Sequence, residues 1–229
     1  MGFARYAVYF TPEGTGWGDF CAAWLGWDSA AGRTLSHPEV PGLPAPAAEL
    51  TERPRKYGFH ATLKPPFRLA NGTDAGGLAR ATQRLAADLA PVTLDGLALD
   101  RIGGFLALVP RGDTADLSDV AARVVENLDA FRAPLSDAEL ARRRAGGRLS
   151  PRQQTLLDRW GYPYTHDAFR FHMTLTGPLA RADADTARAA LAPVLGPLLP
   201  RPFRMDALTL LGADDADRFH RIARYPLAG

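Results

Sequence analysis

The sequence predicts an α+β fold built on a duplicated strand–helix–strand–strand unit, and three observations support this. The pattern Phe-His-x-Thr-Leu occurs twice, at 59–63 and 171–175. Each copy is followed by an alanine-rich stretch, about 75–90 and 181–195, with apolar residues such as Leu78, Leu85 and Leu89 at helical spacing. Each helix is followed by matching tetrapeptides: Leu94-Asp95-Gly96-Leu97, with Asp95 35 residues beyond His60, and Met205-Asp206-Ala207-Leu208, with Asp206 34 beyond His172.

The motif segments read as buried strands. Side chains alternate across a strand, so His60 and Thr62 share one face while Phe59, Ala61 and Leu63 take the other. His172 and Thr174 stand likewise opposite Phe171, Met173 and Leu175. The first strand is expected to stop at Pro65-Pro66, because proline donates no ladder hydrogen bond, and the second at Gly177-Pro178. Hairpins follow: about 93–99 with 105–109, turning at Gly103-Gly104, and about 203–211 with 219–225, turning through 212–217. Outside the repeat lie a strand at 5–10, a helix at 14–25 and a proline-rich loop at 35–54. A helix at 114–131 and one or two more within 136–160 follow, with helix starts at Ser136-Asp-Ala-Glu139 and Ser150-Pro151.

Composition narrows the function classes. The chain has 229 residues, 46% hydrophobic and 23% charged, with a formal net charge of +2. That is ordinary for a globular protein, and so small a net charge argues against a duplex-DNA surface, which normally carries a concentrated basic stripe. No apolar run approaches bilayer length. The single cysteine, Cys21, lies in an apolar helical pattern and reads as core. With no partner thiol and no apparent signal peptide, a reducing cytoplasm is the expected location.

An imidazole beside a hydroxyl, repeated at equivalent places, suits a symmetric site for one phosphate group. The structural alternative is a pair of core histidines satisfied by neighbouring threonines. Lys56 and Lys64, the only lysines, bracket His60 and Thr62, and Arg170 and Thr176 fall on the His172 face. Cations and hydroxyls around a histidine suit an anion. Tyr57 lies on the other face by strict alternation unless a bulge moves it. Tyr162 and Tyr164 are candidates for stacking on a base or sugar. His37, His166 and His220 have no matching context. No metal is expected, since neither motif carries an acid or cysteine at ligand spacing.

Arg55-Lys-Tyr-Gly-Phe-His-Ala-Thr-Leu-Lys-Pro-Pro-Phe67, Trp160-Gly-Tyr-Pro-Tyr164 and Phe169-Arg-Phe-His-Met-Thr-Leu-Thr-Gly-Pro178 resemble the 2H phosphoesterase superfamily, named for its two His-x-Thr/Ser motifs. Within it they are most similar to a bacterial subfamily of unknown function (DUF1045) often found with phosphonate-utilisation genes. The resemblance implies one bilobal α+β domain over 1–229, with two antiparallel sheets flanking a central cleft and helices outside. Its motif units lie at about 55–110 and 167–227, with a helical insert at about 113–164.

Carried over, His60 and His172 become the acid–base pair of a phosphodiester hydrolase, and Thr62 and Thr174 its phosphate donors. Lys64, Arg170, Thr176, Lys56, Tyr57 and Tyr164 are the expected substrate-binding residues. No cofactor is implied. The substrate class is a small ribosyl or nucleotide cyclic phosphate, with RNA 2′–5′ end processing or non-catalytic phosphate sensing as alternatives. No DNA or membrane partner is expected, and the oligomeric state and the acid and base roles stay open.

Overall fold

The computed structural model describes residues 2–145 and 149–229. The chain begins with β1 (Arg5–Phe10) and α1 (Gly16–Leu25). Thr15 caps α1 by accepting from Gly18 N, and Gly26 ends it at φ 80°, a left-handed conformation that favours glycine. A small hairpin of β2 (Trp27–Asp28) and β3 (Arg33–Thr34) precedes the proline-rich loop, which holds two single-turn helices, α2 (Ala47–Leu50) and α3 (Glu52–Arg55). The first repeat comprises β4 (Ala61–Phe67), α4 (Ala75–Ala87), β5 (Val92–Leu94), β6 (Gly96–Ile102) and β7 (Phe105–Arg111).

The insert holds α5 (Ala115–Asn127), α6 (Asp137–Ala145) and α7 (Pro151–Trp160). Ser150 and Gln153 form a reciprocal capping box with Pro151 in the first turn, as the sequence predicts. Positions 146–148 of the predicted helical stretch lie outside the described residues. The second repeat is β8 (Met173–Thr174), α8 (Arg181–Leu195), β9 (Phe203–Met205), β10 (Ala207–Ala213) and β11 (Phe219–Pro226).

The main sheet is antiparallel, ordered β11-β10-β1-β4-β8-β7-β6. Its four-stranded and three-stranded halves meet at a single registered pair, Ala61↔Met173, at the centre of both motifs. Among the described residues, α4 packs on β10 and β11, α8 on β6 and β7, and α5 on β4. One continuous core lies beneath them, including Val8, Phe10, Trp24, Leu108, Leu208 and Leu210.

The two sequence repeats exchange their hairpins. First-repeat β4 shares its half-sheet with the second-repeat hairpin β10–β11, and second-repeat β8 pairs with first-repeat β7. The stretches 55–110 and 167–227 are therefore repeats of sequence, and neither makes a half of the sheet alone. A pattern of local periodicity records which segments are strands and not which segments pair.

Other boundaries also differ. Each predicted strand at 93–99 and 203–211 is broken at Asp95 or Asp206, so that β5 and β9 pair with each other as a separate ribbon. The strand β4 does not stop at Pro65-Pro66. It continues to Phe67 because its register with β1 slips between Val8 and Tyr6, so the prolines fall where the ladder skips. The strand β8 is shorter than expected, and beyond it Leu175 N donates to Leu106 O and Gly177 N to Leu50 O.

Candidate active site

Both histidines are held in the same way. His60 Nδ1–H donates to Gly58 O at 2.9 Å, and His172 Nδ1–H donates to Arg170 O at 2.8 Å. A carbonyl accepts only, so each neutral ring carries its proton on Nδ1 and leaves Nε2 as the free lone pair. His60 Nε2 lies 3.1 Å from Thr62 Oγ1 and accepts from that hydroxyl. Gly58 is required for its aim: φ is 71°, and an added Cβ would meet the Ser29 side chain at 2.9 Å. Extended one residue each way, the Ala61↔Met173 register sets His60 opposite Thr174 and Thr62 opposite His172. Directly opposed side chains in such a pair have Cβ atoms about 4.5–5.5 Å apart.

His60 stacks on Tyr9, centroids 3.8 Å apart and planes 21° from parallel, with Tyr57 tilted at 5.9 Å. His172 lies 5.7 Å from the Phe105 ring. Burial against this aromatic floor pulls His60 down from 6.5 to about 4; the Gly58 bond opposes the shift and the nearby charge of His172 adds to it. This has a consequence for stability. The unfolded chain takes up the proton near 6.5 and the folded protein only near 4, so between them the unfolded chain binds more protons. Stability therefore falls as pH drops through that window. Denaturant titrations across it are expected to show a steeper fall for the unsubstituted protein than for His60→Gln.

Thr62, Phe105, Arg170 and His172 line a cleft of about 580 Å³, closed by Tyr162, Tyr164 and the Gly103-Gly104 turn. That volume is in the range of small-molecule sites.

The structure brings together some of the sequence-predicted residues and separates others. Arg170 and Tyr164 reach the cleft. Tyr57 sits against the His60 ring, 5.9 Å away, rather than on the face strict alternation gives. Lys56 is at the surface, paired with Asp217 and 5.0 Å over the Tyr57 ring.

Lys64 is a correction. It is 1% exposed, with Nζ donating to Val125 O at 3.0 Å and Asp129 Oδ1 at 3.2 Å. The cause is a bulge: Tyr9 pairs with Thr62 but Val8 with Lys64, so β4 gains a residue and Lys64 turns off the His60 face. Burial lowers its ammonium to about 8, against the pull of Asp129. Thr176 is a second correction. It is buried, accepts from Leu106 N and donates to Gly177 O, so it holds the strand end and not a ligand.

The remaining histidines are occupied elsewhere: His37 with Trp24 O, His166 with Glu126 and stacked on Trp160, and His220 with Asp214. Within Arg142-Arg143-Arg144, Arg143 packs over Tyr162 and Arg144 pairs with Asp158. Cys21 is buried, and burial pushes its thiol well up. Among the described residues no three His, Cys, Asp or Glu side chains converge as metal ligands, and no helix is long and apolar enough to cross a membrane. Sequence reasoning missed Tyr9, Arg5 and Asp217. The alternation of Arg5, Ala7 and Tyr9 was visible, but their neighbours depend on β1 pairing with β4 and β10.

The family described as proteins of unknown function (DUF1045) matches residues 62–220. The chain is 40% identical over 212 residues to the ribose 1,5-bisphosphate phosphokinase PhnN of Janthinobacterium sp. (strain Marseille), spanning 90% of this chain and 47% of that protein. It is 33% identical over 221 residues to the protein of the same name from Laribacter hongkongensis (strain HLHK9), spanning 96% and 51%. The chain thus spans about half the length of the curated relatives it matches. Among solved structures it is similar to a phosphoesterase (TM-score 0.42, 16% identity) and to E. coli LigT complexed with NADP+ (TM-score 0.43, 15% identity), each over 100% of both chains. The match over most of its length shows that the chain belongs to the DUF1045 family.

Proposed function

We propose that this protein is a metal-independent cyclic phosphodiesterase that opens a ribosyl cyclic phosphate with His60 as general base and His172 as general acid. The observation that carries the reading is the matched pair of imidazoles, each tied through Nδ1 to the carbonyl two residues before it and each presenting Nε2 beside a threonine hydroxyl or the cleft. The two tandem motifs add the resemblance to 2H phosphoesterases.

Water attacks phosphorus, and His60 Nε2 takes its proton. The bond from phosphorus to a ribose oxygen breaks, and that oxygen receives the Nε2 proton of His172. One water is consumed, and the proton left on His60 returns through solvent to His172. His60 fits the base because it stays neutral down to about 4. Thr62 turns its hydroxyl from His60 Nε2 to one non-bridging oxygen, which frees Nε2 for the water, Thr174 donates to the other, and Arg170 offsets their charge. The acid limb of kcat/KM is expected nearer 4 than 6.5 in a pH profile.

The name of the curated relatives narrows the substrate. Neither Lys56 nor Lys64 follows a glycine, so this chain holds no GxxxxGK[ST] nucleotide loop, and we assign the kinase name to the part of those proteins it does not span. Ribose 1,5-bisphosphate is what forms when water breaks the phosphorus–O2 bond of ribose 5-phosphate 1,2-cyclic phosphate. The test is a panel containing that compound, 2′,3′-cyclic nucleotides and a 2′–5′ linked dinucleotide, with excess EDTA and products read by phosphorus NMR. Opening of the ribosyl compound to the 1-phosphate is expected. Binding without product, or turnover of the 2′–5′ linkage alone, would contradict the proposal.

A further inference from the structure

Across the Tyr9 and Tyr57 rings from His60 lies a pair of cations that the acid–base chemistry does not use. Arg5 and Lys56 converge on one carboxylate, Asp217. Arg5 occupies the face of β1 that also carries Tyr9, the residue stacked on His60. Its guanidinium lies 5.8 Å over the Phe219 ring, which is 5.2 Å from Tyr57 and 5.9 Å from Tyr9. Lys56 lies 5.0 Å over the neighbouring ring of this floor, Tyr57. Asp217 is fixed in a turn at φ 63°, its amide donating to Asp214 O at 2.9 Å.

The three side chains are 32%, 40% and 41% exposed, so the cluster is open to a ligand while its base is packed. Two cations sharing one carboxylate keep a net positive charge. Their spacing around a carboxylate also suits the larger, doubly charged oxygen set of a phosphate monoester. Tyr9, stacked on His60, is 5.9 Å from the Phe219 ring under Arg5, which places the cluster at the His60 end of the site.

We propose that Arg5 and Lys56 form a second anion subsite that takes the remote phosphate monoester of the cyclic phosphate substrate, with Asp217 holding both cations until it arrives. This specificity role rests on the cyclic phosphodiesterase reading, and it explains how a cleft could select a sugar carrying two phosphates.

Asp217 competes with the incoming phosphate, so substitutions of opposite kind move affinity in opposite directions. Ribose 1,2-cyclic phosphate with and without the 5-phosphate are compared as substrates. Ribose 5-phosphate binding is measured separately by calorimetry on the full chain. The unsubstituted protein is expected to favour the 5-phosphorylated compound by about tenfold or more in kcat/KM, mostly through KM, the scale of one charge-assisted hydrogen bond. Arg5→Gln and Lys56→Gln each shrink that ratio and weaken ribose 5-phosphate binding. Asp217→Asn, which suits a left-handed backbone, raises both. A general folding defect cannot produce the gain.

Equal turnover of the two compounds, with a ratio unmoved by all three variants, would overturn the subsite and leave the ring-opening activity standing. Turnover of neither would overturn the activity; ribose 5-phosphate binding that weakens in Arg5→Gln and tightens in Asp217→Asn would then still support the subsite, and its absence would end it.

Discussion

Replacing His172 with alanine is expected to lower kcat for ring opening by about 10²–10⁴-fold, with His60→Ala falling in the same range. Each substitution deletes one proton transfer at phosphorus while leaving the threonines and Arg170 in place, so KM should move far less than kcat. The two variants differ in how they are rescued. An aryl phosphodiester, whose leaving group departs without a proton, should recover most of the loss in His172→Ala and little of it in His60→Ala. The opposite pattern in steady-state assays would reverse the acid and base assignment.

The largest expected stability change lies behind the second motif. Trp24 is fully buried in α1, and its indole N–H donates to Leu175 O at 2.8 Å, one residue past Thr174. Trp24→Ala should cost about 3–5 kcal/mol, by lost transfer energy and by the cavity left behind. Trp24→Phe keeps most of the packing but strands the Leu175 carbonyl, a loss of about 1–3 kcal/mol. Urea titrations measure both. Because β8 has only Met173 and Thr174 in the ladder, the indole anchor also fixes where His172 points, and Trp24→Phe should lower kcat as well as stability.

The central residues of this site were legible in the sequence because they obey local rules. His60 and His172 immediately precede β4 and β8, with Thr62 and Thr174 two residues on, and that spacing needs nothing beyond the backbone. The helix at 181–195 and the starts at Ser136 and Ser150 were equally visible, since caps and periodicity are local. Lys64 was misplaced because a single extra residue in β4 reverses the faces beyond it, and nothing in Leu63-Lys64-Pro65 announces the slip. Thr176 was misplaced because β8 ends at Thr174, after which alternation no longer applies. The exchange of hairpins, and with it the Tyr9 floor and the Arg5–Lys56–Asp217 cluster, depends on pairing between segments far apart in the chain. Asp217 and Arg5 are separated by 212 positions.

The most direct test is turnover by the His60→Ala, His172→Ala double variant beside both single variants, on the ribosyl cyclic phosphate in EDTA. Groups that act as one unit are not additive, so the double variant should be no more than modestly slower than the worse single variant, and all three far below the unsubstituted protein. Ring opening by the double variant at the unsubstituted rate would show that neither imidazole does the chemistry.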